Sequence, residues 1–536
     1  MRRRSALAAL TAGPLGAAGL AGCDVSDIPR DPRRVTMAVG RDITTLDPAA
    51  SFIISNQLAV QLSYQRLVAA ELGPEGPTGR IVGDLAERWE ASADGLVWTF
   101  FLKPGQRFDD GSEVTAEAVK FSFERTLKLK APPAQFLFFL RGVEALGPHE
   151  VRFVLRMPVA FLLQVLAVPT SSIVNPKLAE HARGSDHGSR WLSTRSAGSG
   201  PYRVARFDKG QQVVLQANPH AVQPPAYFRE VVFLIVKDDT TRAIQLAKGA
   251  LDIVDPVPAA VDDWLARQPG VRLVNGLSPT VAFLHMNNER ALFRDPRVRR
   301  AVSLAVDREL IGRSLYGGRT RLLHGVLPEG VPGHDASLPL PRHDPQAARM
   351  LLDQAGVARG ARASFVVVGD GSGTAPVALA LREQLQAIGL DVRIERVSTA
   401  ARTKVMKGDF DLTMQAINLD FPDPSIVFNF VYNSAMIGGA NFPRYRNREV
   451  DRLIGRADTT LEPQARAALY QQAQRIVMDE LPTVPLFQLD WQRAQRVELS
   501  GVRYNFAQPT FYNFDSMRRT GAAGASLVSP LGARWG

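Results

Sequence analysis

Residues 34–39, Arg-Val-Thr-Met-Ala-Val, alternate polar and apolar positions and predict a first half-buried strand. Thr115 before Ala116, Val119 and Phe123 predicts a capped helix with one apolar face. Asp295-Pro296 and Asp344-Pro345 each place a capping carboxylate before a proline in the first helical turn. After the second of these, Ala348, Leu351, Leu352 and Ala355 keep helical spacing until Gly356 ends it. The run 364–368, a glycine loop, a helix through Leu381, Leu385 and Ile388, and the strand Val392-Arg393-Ile394 make a βαβ unit. From Leu46 onward strands and helices interleave without a fixed repeat, which predicts an α/β architecture. Residues 521–536 carry no periodicity and are expected to fray as a flexible tail.

The N-terminus is patterned differently. Arg2-Arg3-Arg4 precedes an apolar run, 6–20, and small residues follow at Ala21 and Gly22, which is the layout of a secretory signal. The arginine run also loosely matches a twin-arginine signal, without the usual hydrophobic follower. Leu20-Ala21-Gly22-Cys23 resembles a bacterial lipobox, whose cysteine becomes a diacylated N-terminus, and Cys23 is the only cysteine in the chain. The expectation is a lipoprotein signal peptide over 1–22, lipidation at Cys23, membrane attachment through that lipid, and a polar tether over 23–34. No later segment has about 18 uninterrupted apolar residues.

A length of 536 residues calls for more than one domain, and 45% hydrophobic with 22% charged residues is globular composition. The formal charge of +11 is spread along the chain among acidic residues, so it reads as a solvated surface and no nucleic-acid partner is expected. One cysteine excludes internal disulfides, thiolate zinc clusters and iron–sulfur centres. Gly369, Gly371 and Gly373, with Glu395 after them, mimic a dinucleotide loop. The third glycine of that fingerprint would fall at Thr374, and the spacing fails. The eight histidines form no HExxH, and no GxSxG elbow or GxxxxGK[ST] loop is present. Asp109-Asp110 and Asp238-Asp239 read as turn carboxylates. No enzyme activity, cofactor or metal centre is therefore expected, although a hydrolytic site assembled from separate loops would leave no local signature.

The stretch Leu85-Ala86-Glu87-Arg88-Trp89-Glu90, then Asp94-Gly95-Leu96-Val97-Trp98-Thr99-Phe100 and Phe108-Asp109-Asp110-Gly111-Ser112, resembles the family 5 extracellular solute-binding proteins, the peptide and nickel receptors of bacterial ABC importers. Further blocks follow in the family's order: Thr45-Leu46-Asp47-Pro48, Gly198-Ser199-Gly200-Pro201-Tyr202, Leu246-Ala247-Lys248-Gly249, Gly389-Leu390-Asp391-Val392 and Asp420-Phe421-Pro422-Asp423-Pro424. The resemblance implies a two-lobed periplasmic-binding-protein fold of α/β class, hinged, with a discontinuous lobe I carrying an inserted subdomain. The expected boundaries are 35–65 for the first part of lobe I, 66–194 for the subdomain, 195–282 for lobe I again, 283–496 for lobe II and 497–520 for the return to lobe I.

Function follows from the same resemblance. It implies a lipid-anchored receptor in the periplasm or cell envelope, acting as a monomer. Such a receptor captures a small solute, in the first instance a short peptide, between its lobes and delivers it to the permease subunits of an ABC importer. In peptide receptors an aspartate matching Asp420 holds the ligand ammonium, and a tryptophan stands where this chain has Ile417. Ser51-Phe52-Ile53-Ile54 matches the segment that lines the ligand with strand backbone, which nominates Phe52 and Ile54. Phe136, with Phe138 and Phe139, is expected either to wall the cleft or to pack inside the subdomain. Asp423 before Pro424 reads as a turn carboxylate. Asn218-Pro219-His220-Ala221 lacks the aromatic pair common at that place. Nickel chelate, haem, an opine or an oligosaccharide are alternative cargoes, and a lipoprotein enzyme acting on cell-wall peptides is the alternative of a different class.

Overall fold

The alternating segment forms the strand Arg34–Val39, which lies parallel to Glu230–Ile235 with Thr36 beside Val232. It is one member of an 11-stranded mixed sheet that runs through the molecule. The computed structural model describes residues 31–51, 53–73, 76–225, 227–257, 259–340, 342–369, 374–398, 403–502 and 512–520. Cys23 with the signal segment, most of the tether, Phe52 and the tail 521–536 lie outside the described residues.

In spatial order the sheet starts with Leu390–Val397, Ala361–Val368 and Leu412–Asn418 and reaches two long antiparallel strands, Val271–Met286 and Thr483–Arg496. Beyond them come Ile253–Val254, Arg34–Val39, Glu230–Ile235, Gln212–Ala217 and Tyr202–Asp208. The long pair belongs to both halves. Residues 271–277 pair with 490–496 on the side of Arg34–Val39, and 281–285 pair with 483–488 on the side of Leu412–Asn418. Between them the register shifts at 278–280. A second shift follows between Ala282 and Phe283, and such breaks bend and twist a ladder locally.

The βαβ unit forms as its pattern predicts, with Ala361–Val368 parallel to Leu390–Val397 across the helix Thr374–Ala387. Asp295 and Asp344 accept capping hydrogen bonds from Arg297 N and Ala347 N, each 2.8 Å. Thr115 stands at the N-cap of Ala116–Leu129 but its hydroxyl makes no capping bond; the Pro148 carbonyl accepts the Ala116 N–H instead, at 2.8 Å. That helix covers a separate four-stranded sheet of Ala86–Ala91, Val97–Leu102, Glu150–Leu155 and Leu140–Gly147. Phe123 meets Phe153 edge-on at 4.9 Å, and Phe153 meets Phe100 at 5.4 Å. The apolar core of this unit is continuous with side chains from 419–477, among them Phe421, Phe428 and Tyr470. The unit is tied to the other side by a buried ion pair, in which Arg125 donates to both oxygens of Asp47 at 2.9 and 2.6 Å and to the His187 carbonyl at 2.7 Å.

No described helix is long and apolar enough to cross a membrane. Among the described residues no three His, Cys, Asp or Glu side chains are grouped to hold a metal ion.

Candidate functional site

A cavity of about 760 Å³ opens where the segments after the helix Ile54–Ser63, the loop 420–424 and the chain near Tyr512 meet. Its volume lies within the usual range for sites that enclose a small ligand. Close approach of Gly198 and Gly200 shapes one side. A Cβ on Gly198 would stand 2.1 Å from the Ser63 carbonyl oxygen, and one on Gly200 would stand 2.5 Å from that of Leu62. Only glycine lets Ser199 and Pro201 lie this close against 62–64 and present themselves to the cavity.

Asp420 lines the cavity, two residues past the end of the strand Leu412–Asn418. Burial pushes its carboxyl up to about 6, opposed by a hydrogen bond from Asn418. Asn418 in turn accepts from Thr280 Oγ1 at 3.1 Å, and Ser278 Oγ donates to Thr280 Oγ1 at 2.8 Å. The Gln488 amide donates to the Ser278 carbonyl at 2.8 Å. A chain of polar contacts therefore joins the cavity carboxylate to the register shift in the long strands.

Asp423, in the same loop, does accept from Ser425 N across the turn at 2.9 Å, but it is buried and ion-paired. Its oxygens accept from Arg466 Nη1 and Nη2 at 2.6 and 2.8 Å, and its side chain is 3% exposed. Arg466 also donates to the Ala457 carbonyl at 3.1 Å, and Tyr470 beside it donates to Asp458 at 2.8 Å. Neighbouring Asp458, held by Asn429 at 2.8 Å, is pushed up to about 6 by burial. This buried network fixes the loop that carries Asp420 onto the helix Pro463–Glu480.

The other nominated residues lie elsewhere. Ser51 and Ile53 belong to no strand, and Ile54 opens the helix Ile54–Ser63, 40% exposed and away from the cavity lining. Local bonds turn the chain there: Ser51 Oγ accepts from Ile53 N at 3.0 Å and from Asn56 Nδ2 at 2.9 Å, while Asn56 Oδ1 accepts from Thr44 N at 2.8 Å. Ile417 pairs with Val281 in the sheet and packs against the core without lining the cavity. Phe136 is buried in the turn Pro132–Leu137, edge-on to Phe421 at 6.0 Å and to Phe430 at 5.6 Å. It therefore supports Phe421, which does line the cavity, from behind. Phe139 is buried and Phe138 is exposed. Asp109 is partly buried beneath Ser196, and desolvation pushes its carboxyl up to about 6; it too is absent from the cavity lining.

Sequence reasoning missed the basic and amide side chains of the cavity, Arg66, Lys103, Gln61, Gln164 and Arg466. None stands in a motif. The sequence marks Gly198-Ser199-Gly200-Pro201-Tyr202 as a block but not that Ser199 faces the cavity.

Comparison with known proteins places this geometry. A family model described as bacterial extracellular solute-binding proteins, family 5 Middle, matches residues 80–439. The probable D,D-dipeptide-binding periplasmic protein DdpA of Escherichia coli strain K12 is 34% identical over 495 residues, covering 92% of this chain and 95% of that one. Di/tripeptide-binding protein 2 of Pseudomonas aeruginosa strain UCBPP-PA14 is 30% identical, covering 79% of this chain and 84% of that one. Among solved structures, the periplasmic binding protein DppA from Helicobacter pylori in complex with the peptide STSA superposes with a TM-score of 0.80 at 23% identity, covering 91% of this chain and 98% of that one. This last likeness establishes the shared two-lobed fold.

Proposed function

Because the chain belongs to the bacterial extracellular solute-binding proteins of family 5, we propose that it captures short peptides in the cavity beside Asp420 and delivers them to the permease of an ABC importer. The observation that carries this reading is the partly buried Asp420 carboxylate lining a cavity of about 760 Å³. A peptide ammonium that reaches this carboxylate gains a charge-assisted hydrogen bond in partly desolvated surroundings. The dipeptide and tripeptide cargoes in the names of the relatives support the same ligand class. The protein binds and releases without covalent chemistry. Ligand stabilises a closed arrangement of the halves about the long strands, and the permease recognises that state. Native mass spectrometry of protein purified without refolding tests the reading directly: a co-purified ladder of peptide masses supports it, and a bound sugar or metal chelate in their place overturns it.

The raised carboxyl of Asp420 also sets a pH signature. A bound ammonium favours the ionised form, so the complex holds this group below its free value of about 6. Affinity is fully present above that value and is lost as pH falls through it, by about tenfold per pH unit until the bound form also protonates. Calorimetry with one peptide from pH 8 to pH 4.5 should show this break in the parent and none in Asp420→Asn. A flat parent profile contradicts the assignment.

The attachment reading rests on Leu20-Ala21-Gly22-Cys23 and on Cys23 being the sole cysteine. With Cys23 as a lipid anchor outside the cytoplasmic membrane, Cys23→Ser yields a folded protein released from membranes. Detergent-phase partitioning measures this, and retention of the variant in the detergent phase argues against the anchor.

A further inference from the structure

Behind one wall of the cavity lies a buried charged cluster outside the ligand contacts described above. The wall is the segment 512–515, of which Tyr512, Asn513 and Asp515 line the cavity. It is anchored from behind: the Tyr512 hydroxyl donates to Asp255 Oδ2 at 2.5 Å, and Trp491 Nε1 donates to the same oxygen at 3.0 Å. Asp255 directly follows the short strand Ile253–Val254, which pairs with the long strand Thr483–Arg496 that carries Trp491. Arg493, two residues further along that strand, lays its guanidinium over the rings of Trp491 and Tyr512 at 4.9 and 4.8 Å. All four side chains are buried. Phe514 stacks on Tyr512 at 5.4 Å, and the Tyr202 hydroxyl donates to the Phe514 carbonyl at 3.2 Å.

The cluster is not arranged as a pair kept for stability alone. Such a pair offsets its desolvation by closing on itself with its remaining polar atoms met. Here Asp255 Oδ1 and Arg493 Nε have no hydrogen-bond partner among the described residues. The carboxylate bonds the two aromatic donors instead. Burial pushes it up to about 6, opposed first by the Tyr512 hydroxyl and then by Trp491. Burial also raises the Tyr512 phenol, so it stays protonated and remains a donor.

We propose that Asp255 is a positioning residue for ligand capture: through Tyr512 and Trp491 it fixes the segment 512–515 as a wall of the cavity and ties that wall to the long strand 483–496. Asp255 itself is absent from the cavity lining and touches no ligand. Tyrosine and tryptophan each carry one polar handle on a rigid ring, so a single shared acceptor sets the direction of both rings. A wall held in place before the ligand arrives spares the cost of ordering it on binding. A wall released from Asp255 incurs that cost, and the loss appears as faster ligand release. The inference rests on the peptide reading for its affinity measurement and not for its geometry.

Calorimetry with trialanine, thermal melting and hydrogen exchange on the full chain test this. Tyr512→Phe keeps the ring and its stacking and removes only the hydroxyl; it is expected to weaken trialanine binding by on the order of tenfold. Asp255→Leu is expected to weaken it by a similar factor. Asp255→Asn keeps an acceptor oxygen for both donors and is expected to bind as tightly as the parent. The double variant, Asp255→Leu with Tyr512→Phe, should be no weaker than either single one, since both break the same link. Amide exchange across 512–520 should quicken in Asp255→Leu and Tyr512→Phe and return to the parent's rate in Asp255→Asn. Lowered melting midpoints with parental affinity and exchange would make the cluster structural and overturn the proposal, as would losses that add in the double variant. If Asp255→Leu fails to fold, Tyr512→Phe decides: parental affinity in that variant overturns the proposal. If trialanine does not bind the parent, the peptide reading loses its support, and exchange still judges the positioning role: unchanged rates across 512–520 in Tyr512→Phe overturn it.

Discussion

Asp420→Asn is expected to weaken the capture of an amine-bearing peptide by about 2–5 kcal/mol, the range for removing one partner of a desolvated charged pair. The substitution keeps size, shape and an acceptor oxygen, so cavity and loop are undisturbed. It deletes the charge, and the ligand ammonium is then enclosed without a counterion. Burial already pushes the Asp420 carboxyl up to about 6, so in the empty protein the ionised group opposes folding near neutral pH and its removal does not lower stability. Affinity and stability therefore move independently, which separates a binding role from a structural one. Calorimetry with the same peptide on parent and variant, together with thermal melting, decides it. Equal affinities would make Asp420 structural; a lowered melting midpoint would make any loss of affinity uninformative about the amine.

The second large effect falls on the neighbouring carboxylate and is of the opposite kind. Asp423→Asn is expected to destabilise the protein by about 3–5 kcal/mol, because it leaves the Arg466 guanidinium buried with half of its bidentate partner gone. The Arg466 side chain is only 9% exposed. It is packed over the rings of Tyr470 and Phe161 at 5.1 and 5.8 Å and anchored to the Ala457 carbonyl. Urea denaturation should show a lowered midpoint, and hydrogen exchange should locate the loss in the helix Pro463–Glu480. Replacing both members, Asp423→Asn with Arg466→Leu, should recover part of the stability, since no orphan charge remains. A midpoint within error of the parent for Asp423→Asn would show that the pair contributes nothing.

These two aspartates stand three residues apart in one loop and read alike in the sequence, as carboxylates among prolines. What separates them is distant. The partner of Asp423 is 43 positions further along the chain, and the desolvation of Asp420 comes from walls contributed by residues from 61 to 515. Ile53 and Ile54 suit an extended run by composition, but Asn56 bonds back to Thr44 and Ser51 and Ile54 opens a helix.

Where a signal is complete within a few residues, the sequence alone settled the outcome. Alternation suffices for Arg34–Val39, and a capping aspartate followed by proline suffices for the helices at 296 and 345. A strand–glycine–helix–strand order suffices for the parallel pair at 361 and 390. The blocks from Thr45 to Asp420 likewise sufficed for the family, because each is a short string whose spacing is intact. Backbone hydrogen bonding and apolar periodicity act over a turn or a strand, so their record is local. The tertiary structure decided everything that depends on charge and desolvation: which aspartate is paired, which side chains line the cavity, and where the two long strands shift register. Those are sums over groups brought together from across the chain, and burial, which sets their sign, exists only once the walls have closed.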